Sequence, residues 1–317
     1  MLNNFLSAGS DLGLRSLTIS MLNPKSSDLV LSRLSKDLRA LGEDQLKTML
    51  GFVQSSAPRL YMADGEPTDD LFVTGHGDFP NSLSRLGLIS LMGSLGIEYF
   101  LFGNADEFLW GGDPTFIGIA KSLFDQGYSS MVVVVPNSNG MRGGGPVKET
   151  DNPSNQFLCE IPCLPEGSGI PLAINTTFYA FSVPKLASVE QNLLTLQMAL
   201  DTKTGPGRKG GLETVLCAES WAGTELTNPS NRPDNYKIAF VFAPRPGVFL
   251  GIKTLKESHG DDIPPEVSQH PRFGNMSYRE IVSHMANLFP QVIQGLTSDD
   301  KGTAQAVFDA GYSYLIR

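Results

Sequence analysis

Glu160 is the residue of this chain whose surroundings most need an explanation. It stands in an apolar run, Phe157 to Ile161, with no basic residue close to it in sequence. A buried carboxylate in such a place needs hydrogen-bond donors. Other polar residues also end apolar runs. Gln54 follows Met49 to Val53, and its amide offers a donor and an acceptor together, as the edge of a pyrimidine base such as uracil requires. Gly75-His76-Gly77 flanks one titratable ring with two residues that allow close backbone approach, and His76 can donate to a phosphate or ribose oxygen. Asn104 and Asp106 follow Phe100-Leu101-Phe102. A carboxylate at the carboxyl end of a strand is well placed to hold Mg²⁺ on a triphosphate. Arg142-Gly143-Gly144 joins a cation to glycines whose N–H groups can face an anion. Asn175 and Thr177 stand beside a further apolar run. Glu213, in Leu212-Glu213-Thr214, reads equally as a ligand contact or as an acid at a helix start, where the dipole favours it.

The elements that must position these residues alternate. Leu17 to Leu22 predicts a buried strand, and Ser26-Ser27-Asp28 offers N-cap residues for a helix with Leu29, Leu31, Leu34 and Leu38 inward. Leu83 to Leu95 predicts a helix and Ile97 to Phe102 a strand. Pro114 opens a helix with Ile117, Ile119, Ala120 and Leu123 on its buried face. Met131 to Val135 is a β-branched run bounded by turn residues, which predicts a central strand covered on both faces. The expected class is therefore α/β, with a mixed, mostly parallel sheet and helices on both faces. Residues 137–155 and 202–211, rich in Gly, Asn, Pro and Ser, are expected to be loops. Pro171 to Phe181 and Asn235 to Leu250 are expected to contain strands. The expected division is an α/β domain over 1–260 and a mostly helical segment over 261–317, with helices after the capping box Ser277 to Glu280 and over Thr303 to Ala310.

The chain of 317 residues carries a net charge of −9, which argues against nucleic acid or an acidic membrane as partner. Three cysteines make no disulfide framework and read as buried free thiols. Cys159 and Cys163 could form half a metal site, but there is no second pair. Neither a signal peptide nor a membrane-length apolar run is evident, so the cytoplasm is the expected compartment.

In order and spacing, these motifs resemble those of the eukaryotic-type UTP–glucose-1-phosphate uridylyltransferases and the related UDP-sugar pyrophosphorylases, over roughly residues 15 to 255. The matching stretches are Phe52 to Arg59, Gly75 to Asp78, Asn104 to Asp106, Arg142 to Gly144, Leu158 to Ile161, Asn175 to Thr177 and Leu212 to Thr214. The resemblance implies a Rossmann-like nucleotide-diphospho-sugar transferase fold. It implies a reaction in which a sugar-1-phosphate, glucose-1-phosphate in the first instance, attacks the α-phosphorus of UTP to give UDP-sugar and pyrophosphate. Gln54, Gly75, His76 and Asn104 would bind the nucleotide. Gly143, Gly144, Glu160, Asn175, Thr177 and Glu213 would bind the sugar. Asp106 would hold Mg²⁺, and Arg142 and Arg245 would neutralise phosphate charge during transfer.

The chain also departs from the family pattern. No glycine-rich loop of the L-x-G-G-x-G-T type is seen ahead of the first strand. Arg245 stands near the family's catalytic lysine only if a one-residue gap is allowed. Glu107 and Gly145 replace the family's Asn and Thr, and no C-terminal β-helix is evident. Two further readings follow: a catalytically degenerate UDP-sugar-binding protein, or a fragment completed by a partner chain that brings the loop.

Overall fold

A computed structural model describes residues 18–25, 27–28, 32, 49–104, 114–137, 143–152, 155–165, 167–194, 198–208 and 211–243. The helix expected around Leu29 to Leu38 lies almost wholly outside these residues. The segment 261–317 with its two expected helices, and the continuation of the last strand past 243, lie outside them entirely.

The centre is a four-stranded sheet in the order β12 (Ile238–Phe242), β6 (Ser130–Pro136), β9 (Ala173–Ser182), β5 (Tyr99–Phe102). β12 pairs with β6 in parallel, whereas β9 runs antiparallel to both its neighbours. Beside it lie a parallel pair, β1 (Thr18–Leu22) with β2 (Met49–Val53), and an antiparallel hairpin of β7 (Gly145–Lys148) and β8 (Gln156–Cys159). A second, wholly antiparallel sheet has the order β10 (Ala199–Pro206), β11 (Leu212–Glu219), β3 (Ser56–Tyr61), β4 (Pro67–Val73).

The expectation of a mostly parallel sheet is thus corrected: among the described residues the pairing is mixed and mainly antiparallel. The reason lies in the connections. Parallel neighbours need a crossover, usually a helix. β9 instead follows the β7–β8 hairpin and enters from the opposite end of the sheet. The expected loop at 202–211 is also corrected, since Thr202 to Pro206 belong to β10 and pair with β11. Part of the expected loop at 137–155 is β7.

Both faces of the central sheet are covered, as the β-branched run predicts. Side chains alternate along a strand. Val132 and Val134 of β6, with Tyr179 and Phe181 of β9, face one layer. That layer contains helices α1 (Asp78–Arg85), α2 (Leu88–Ser94), α4 (Val183–Ala187) and α5 (Ala222–Thr227). Met131, Val133 and Val135, with Ile174, Phe178 and Ala180, face the other layer, where α3 (Pro114–Asp125) packs through Phe116 and Ala120. The single helix expected over Leu83 to Leu95 is two, because Gly87 breaks it at φ 66°. Among the described residues no helix is long and apolar enough to cross a membrane.

Candidate ligand site

Most of the expected ligand residues within the described segments stand at one end of the sheet layers, where β2, β5 and β6 finish and β9 begins. The Gln54 backbone N–H extends the β1–β2 pairing by donating to Leu22 O at 2.8 Å. Its side-chain Nε2 donates to Gly75 O, which turns the amide toward the Gly-His-Gly loop. The second N–H of Nε2 and the Oε1 atom together still match a pyrimidine edge. Ser55 N–H donates to Asp78 Oδ2 at 2.7 Å, so this buried carboxylate fixes the strand end that carries Gln54. Arg59, which neighbours Gln54 in sequence, serves the second sheet instead. Its guanidinium lies over the Phe72 ring at 4.4 Å and pairs with Asp70 at 3.3 Å.

Gly75 and Gly77 are needed for contact with the protein itself. Gly75 has φ 84°, and a Cβ there would lie 2.3 Å from Ser220 O. A Cβ on Gly77 would lie 2.6 Å from Trp221 N. Gly77 N–H donates to Ser220 O at 3.1 Å, and Ser220 N–H donates to Thr74 O at 2.8 Å. The loop is thereby closed onto the segment that leads into α5. His76 Nδ1 accepts the Ala222 N–H at 3.0 Å, so the neutral ring carries its proton on Nε2 as a donor. Phe102 links this loop to the next strand: its ring lies 6.5 Å from His76 and stacks on Tyr179 at 5.6 Å. Asn104, partly buried, follows two residues beyond Phe102.

On the other side of α5, Glu160 follows β8. Its carboxylate rests on the backbone of Gly144, whose N–H donates to it, and a Cβ on Gly144 would lie 2.2 Å from Glu160 Oε1. Burial, opposed by that hydrogen bond, pushes the Glu160 carboxyl up from its ordinary 4.5 to about 7, with Cys163, Glu219 and Asp201 adding repulsion. A Cβ on Gly143 would lie 3.7 Å from Ile174 Cγ2, an ordinary contact. Gly145 is also required, because a Cβ there would lie 2.5 Å from Ala173 O.

Asn175 and Thr177 form a bulge at the start of β9, where residues 176–178 oppose Val133. Asn175 Nδ2 donates to Tyr179 Oη at 2.6 Å, and its Oδ1 accepts the Thr177 N–H at 2.7 Å. Asn175 therefore shapes the bulge with both ends of its amide. Thr177 holds φ 60°, the one non-glycine positive φ among the described residues. A β-branched residue in that region is strained. The Tyr179 ring is fully buried, and its Oη packs against Gly223 of α5, where a Cβ would lie 2.5 Å away.

Glu213 does not begin a helix. It lies within β11, paired with Gly205, and its exposed side chain lies against Gly207. Six residues of extended chain, about 20 Å, separate it from the end of the strand. The glutamate at the strand-to-helix junction is Glu219, followed by Ser220 and then α5. Both are buried. Lys203 Nζ pairs with Glu219 at 3.3 Å and with Asp201 at 2.9 Å. In the sequence, Ala218-Glu219-Ser220-Trp221-Ala222-Gly223 places an acid and a hydroxyl between the apolar run Val215-Leu216-Cys217 and two small residues. Asp106, Arg142 and Arg245 lie outside the described residues. Among those described, no group of three or more His, Cys, Asp or Glu could hold a metal.

No protein-family model matches the chain, and a search of curated proteins finds no match. Solved structures do match. A mutant UDP-glucose pyrophosphorylase from Leishmania major, in complex with UDP-glucose, superposes with a TM-score of 0.60 at 15% identity over 84% of this chain and 60% of that one. UDP-glucose phosphorylase from Trypanosoma brucei gives 0.63 at 13% identity, over 84% and 60%. The uridine diphosphate N-acetylglucosamine pyrophosphorylase of Trypanosoma brucei, in complex with an inhibitor, gives 0.59 at 16% identity, over 94% and 65%. The chain thus shares the mixed α/β fold of these three structures and spans less than two thirds of their length.

Proposed function

We propose that this chain carries the uridylyl-transfer site of a UDP-sugar pyrophosphorylase, which joins UTP and a sugar-1-phosphate, glucose-1-phosphate in the first instance, to give UDP-sugar and pyrophosphate. The observation that carries the reading is the way α5 ties two polar groups together. Its first residue, Ala222, is bound to His76 of the Gln54 side. Its second residue, Gly223, lies against Tyr179 of the Glu160 side. A ligand with a pyrimidine at one end and a polyol at the other would use both.

Each residue then has a task. Gln54 reads the base edge, and Asn104 and His76 Nε2 donate to ribose or phosphate oxygens. Gly143 and Gly144 line the sugar side. Glu160, which holds a proton until about pH 7, can accept from and donate to sugar hydroxyls. Thr177 contacts the sugar from a bulge pinned by Asn175. Transfer of this kind depends on positioning and charge neutralisation. Arg142 and Arg245 are proposed for the latter. The described carboxylates do not suit a metal: Glu160 is driven toward its neutral form, while Glu219 and Asp201 hold Lys203. Mg²⁺ is therefore proposed at Asp106, where it would offset phosphate charge.

A second reading, a UDP-sugar-binding protein without turnover, is favoured by one observation: Lys203, close to Glu160 through Glu219, is already held by two carboxylates. The deciding experiment is pyrophosphate release from UTP and glucose-1-phosphate, with and without chelator. Release that the chelator stops supports transfer. A folded chain that neither releases pyrophosphate nor binds UDP-glucose contradicts both readings.

A further inference from the structure

Cys159 and Cys163 are expected from the sequence to be buried free thiols, yet only Cys159 is buried. Cys159 ends β8 and is buried, whereas Cys163 is exposed at the end of a single 3₁₀ turn, Ile161–Cys163. The turn folds both residues onto one carbonyl. Cys163 N–H donates to Glu160 O at 2.8 Å, and Cys159 Sγ lies 3.6 Å from the same oxygen. The turn therefore brings the two cysteines to the same Glu160 carbonyl, and each shifts the ionisation of the other. Among the described residues no third His, Cys, Asp or Glu joins them in a metal-binding group. Cys217, the other cysteine, is buried in β11.

We propose that Cys159 and Cys163 form a thiol–disulfide exchange site, with exposed Cys163 as the attacking thiol, buried Cys159 as the resolving thiol, and a low-molecular-mass disulfide as the oxidant. The thiolate is the nucleophile in such chemistry. The hydrogen bond from Cys159 holds the Cys163 thiol down from 9.0 to about 7, while the same contact and burial push Cys159 up. Cys163 is thus the thiol that ionises near neutral pH. In the first step its thiolate attacks one sulfur of R–S–S–R. A Cys163–S–S–R bond forms, and the departing thiolate takes up a proton. In the second step Cys159 displaces the remaining R–S group from Cys163, and the proton of Cys159 leaves with that thiol. Two protein thiols are oxidised, and one disulfide is reduced to two thiols. The bond closes over the backbone of Glu160, so oxidation alters the turn that carries it. The proposal does not depend on the uridylyl-transfer reading.

The test is mass analysis of tryptic peptides from the whole chain after incubation with excess glutathione disulfide. No Lys or Arg lies between Lys148 and Lys185, so one peptide carries both cysteines, while Cys217 falls in another. In the wild-type chain this peptide should lose both thiols and carry no glutathione, with Cys217 unmodified. In Cys159→Ser the first step should proceed and the second should not, leaving glutathione on Cys163. Two free thiols in the wild-type peptide would overturn the proposal. So would a wild-type mixed disulfide that persists, because Cys159 would then not resolve it.

Discussion

His76 Nδ1 accepts the backbone N–H of Ala222 at 3.0 Å, joining residues 146 positions apart. The bond fixes the imidazole tautomer and seats α5 against the loop that follows β4. Gly75 and Gly77 make this approach possible, since each would clash with the backbone at Ser220 and Trp221 if it carried a Cβ. The loop, the ring and the helix are therefore one unit.

Gly75→Ala and Gly144→Ala should fail in opposite ways. At Gly75 the added methyl meets a backbone oxygen at 2.3 Å, at a φ of 84°. Neither obstacle can relax cheaply, so a stability loss of about 3 kcal/mol or more is expected in denaturant titration. At Gly144 the methyl meets the end of the Glu160 side chain, which can swing away. That variant should keep nearly full stability and lose UDP-glucose affinity. Comparable destabilisation by both changes would contradict the assignment of Glu160 to an adaptable ligand contact.

Glu160→Gln should stabilise the chain in a pH-dependent way. Burial raises the folded carboxyl to about 7 from an ordinary 4.5. Between these values the unfolded chain has lost the proton and the folded chain keeps it, so the native protein loses stability as pH rises through this window. The loss is complete above about 7 and amounts to roughly 3 kcal/mol. Glutamine has no proton to lose. The variant should match wild type near pH 4.5 and exceed its stability by roughly that amount at pH 8, as read by urea midpoints. An equal gain at both pH values would mean that the carboxyl does not titrate in this window.

Thr177→Asn should also stabilise the chain. Thr177 occupies φ 60°, where a β-branched residue is strained and asparagine is tolerated. The N–H bond to Asn175 Oδ1 belongs to the backbone and survives the change. A gain of about 1 kcal/mol in thermal or urea unfolding is expected. A loss would mean that the Thr177 side chain contributes more than its backbone conformation costs.

The sequence made the layers legible where physics is local. The run Met131 to Val135 reads as a doubly buried strand because β-branched residues without polar alternation fit little else, and it is one. Gln54, Asn104 and Glu160 stand out in the sequence as polar residues that end apolar runs, and each follows the end of a strand, β2, β5 and β8 in turn. The direction of β9 was not legible, since strand polarity is set by the connection and the β7–β8 hairpin gives no strong periodicity. Glu213 and Glu219 are not told apart by pattern, because both stand in the same alternating stretch. Only the position of the helix start, at Ala222, tells which carboxylate is buried beside Lys203. The close packing that Gly75 and Gly77 allow is likewise hidden from local pattern, since the segment beside them, Ser220-Trp221, lies more than 140 residues further along the chain.

The most direct test of the central claim, one site with its base end at Gln54 and its sugar end at Glu160, is calorimetric titration of UMP and of UDP-glucose into wild type, Gln54→Ala and Glu160→Gln. Gln54→Ala should weaken both ligands by roughly 1–3 kcal/mol, the usual cost of removing one partner of a buried polar contact. Glu160→Gln should weaken UDP-glucose and leave UMP unchanged. Equal weakening of both ligands by Glu160→Gln, or no binding of either ligand to the folded wild-type chain, would contradict the account.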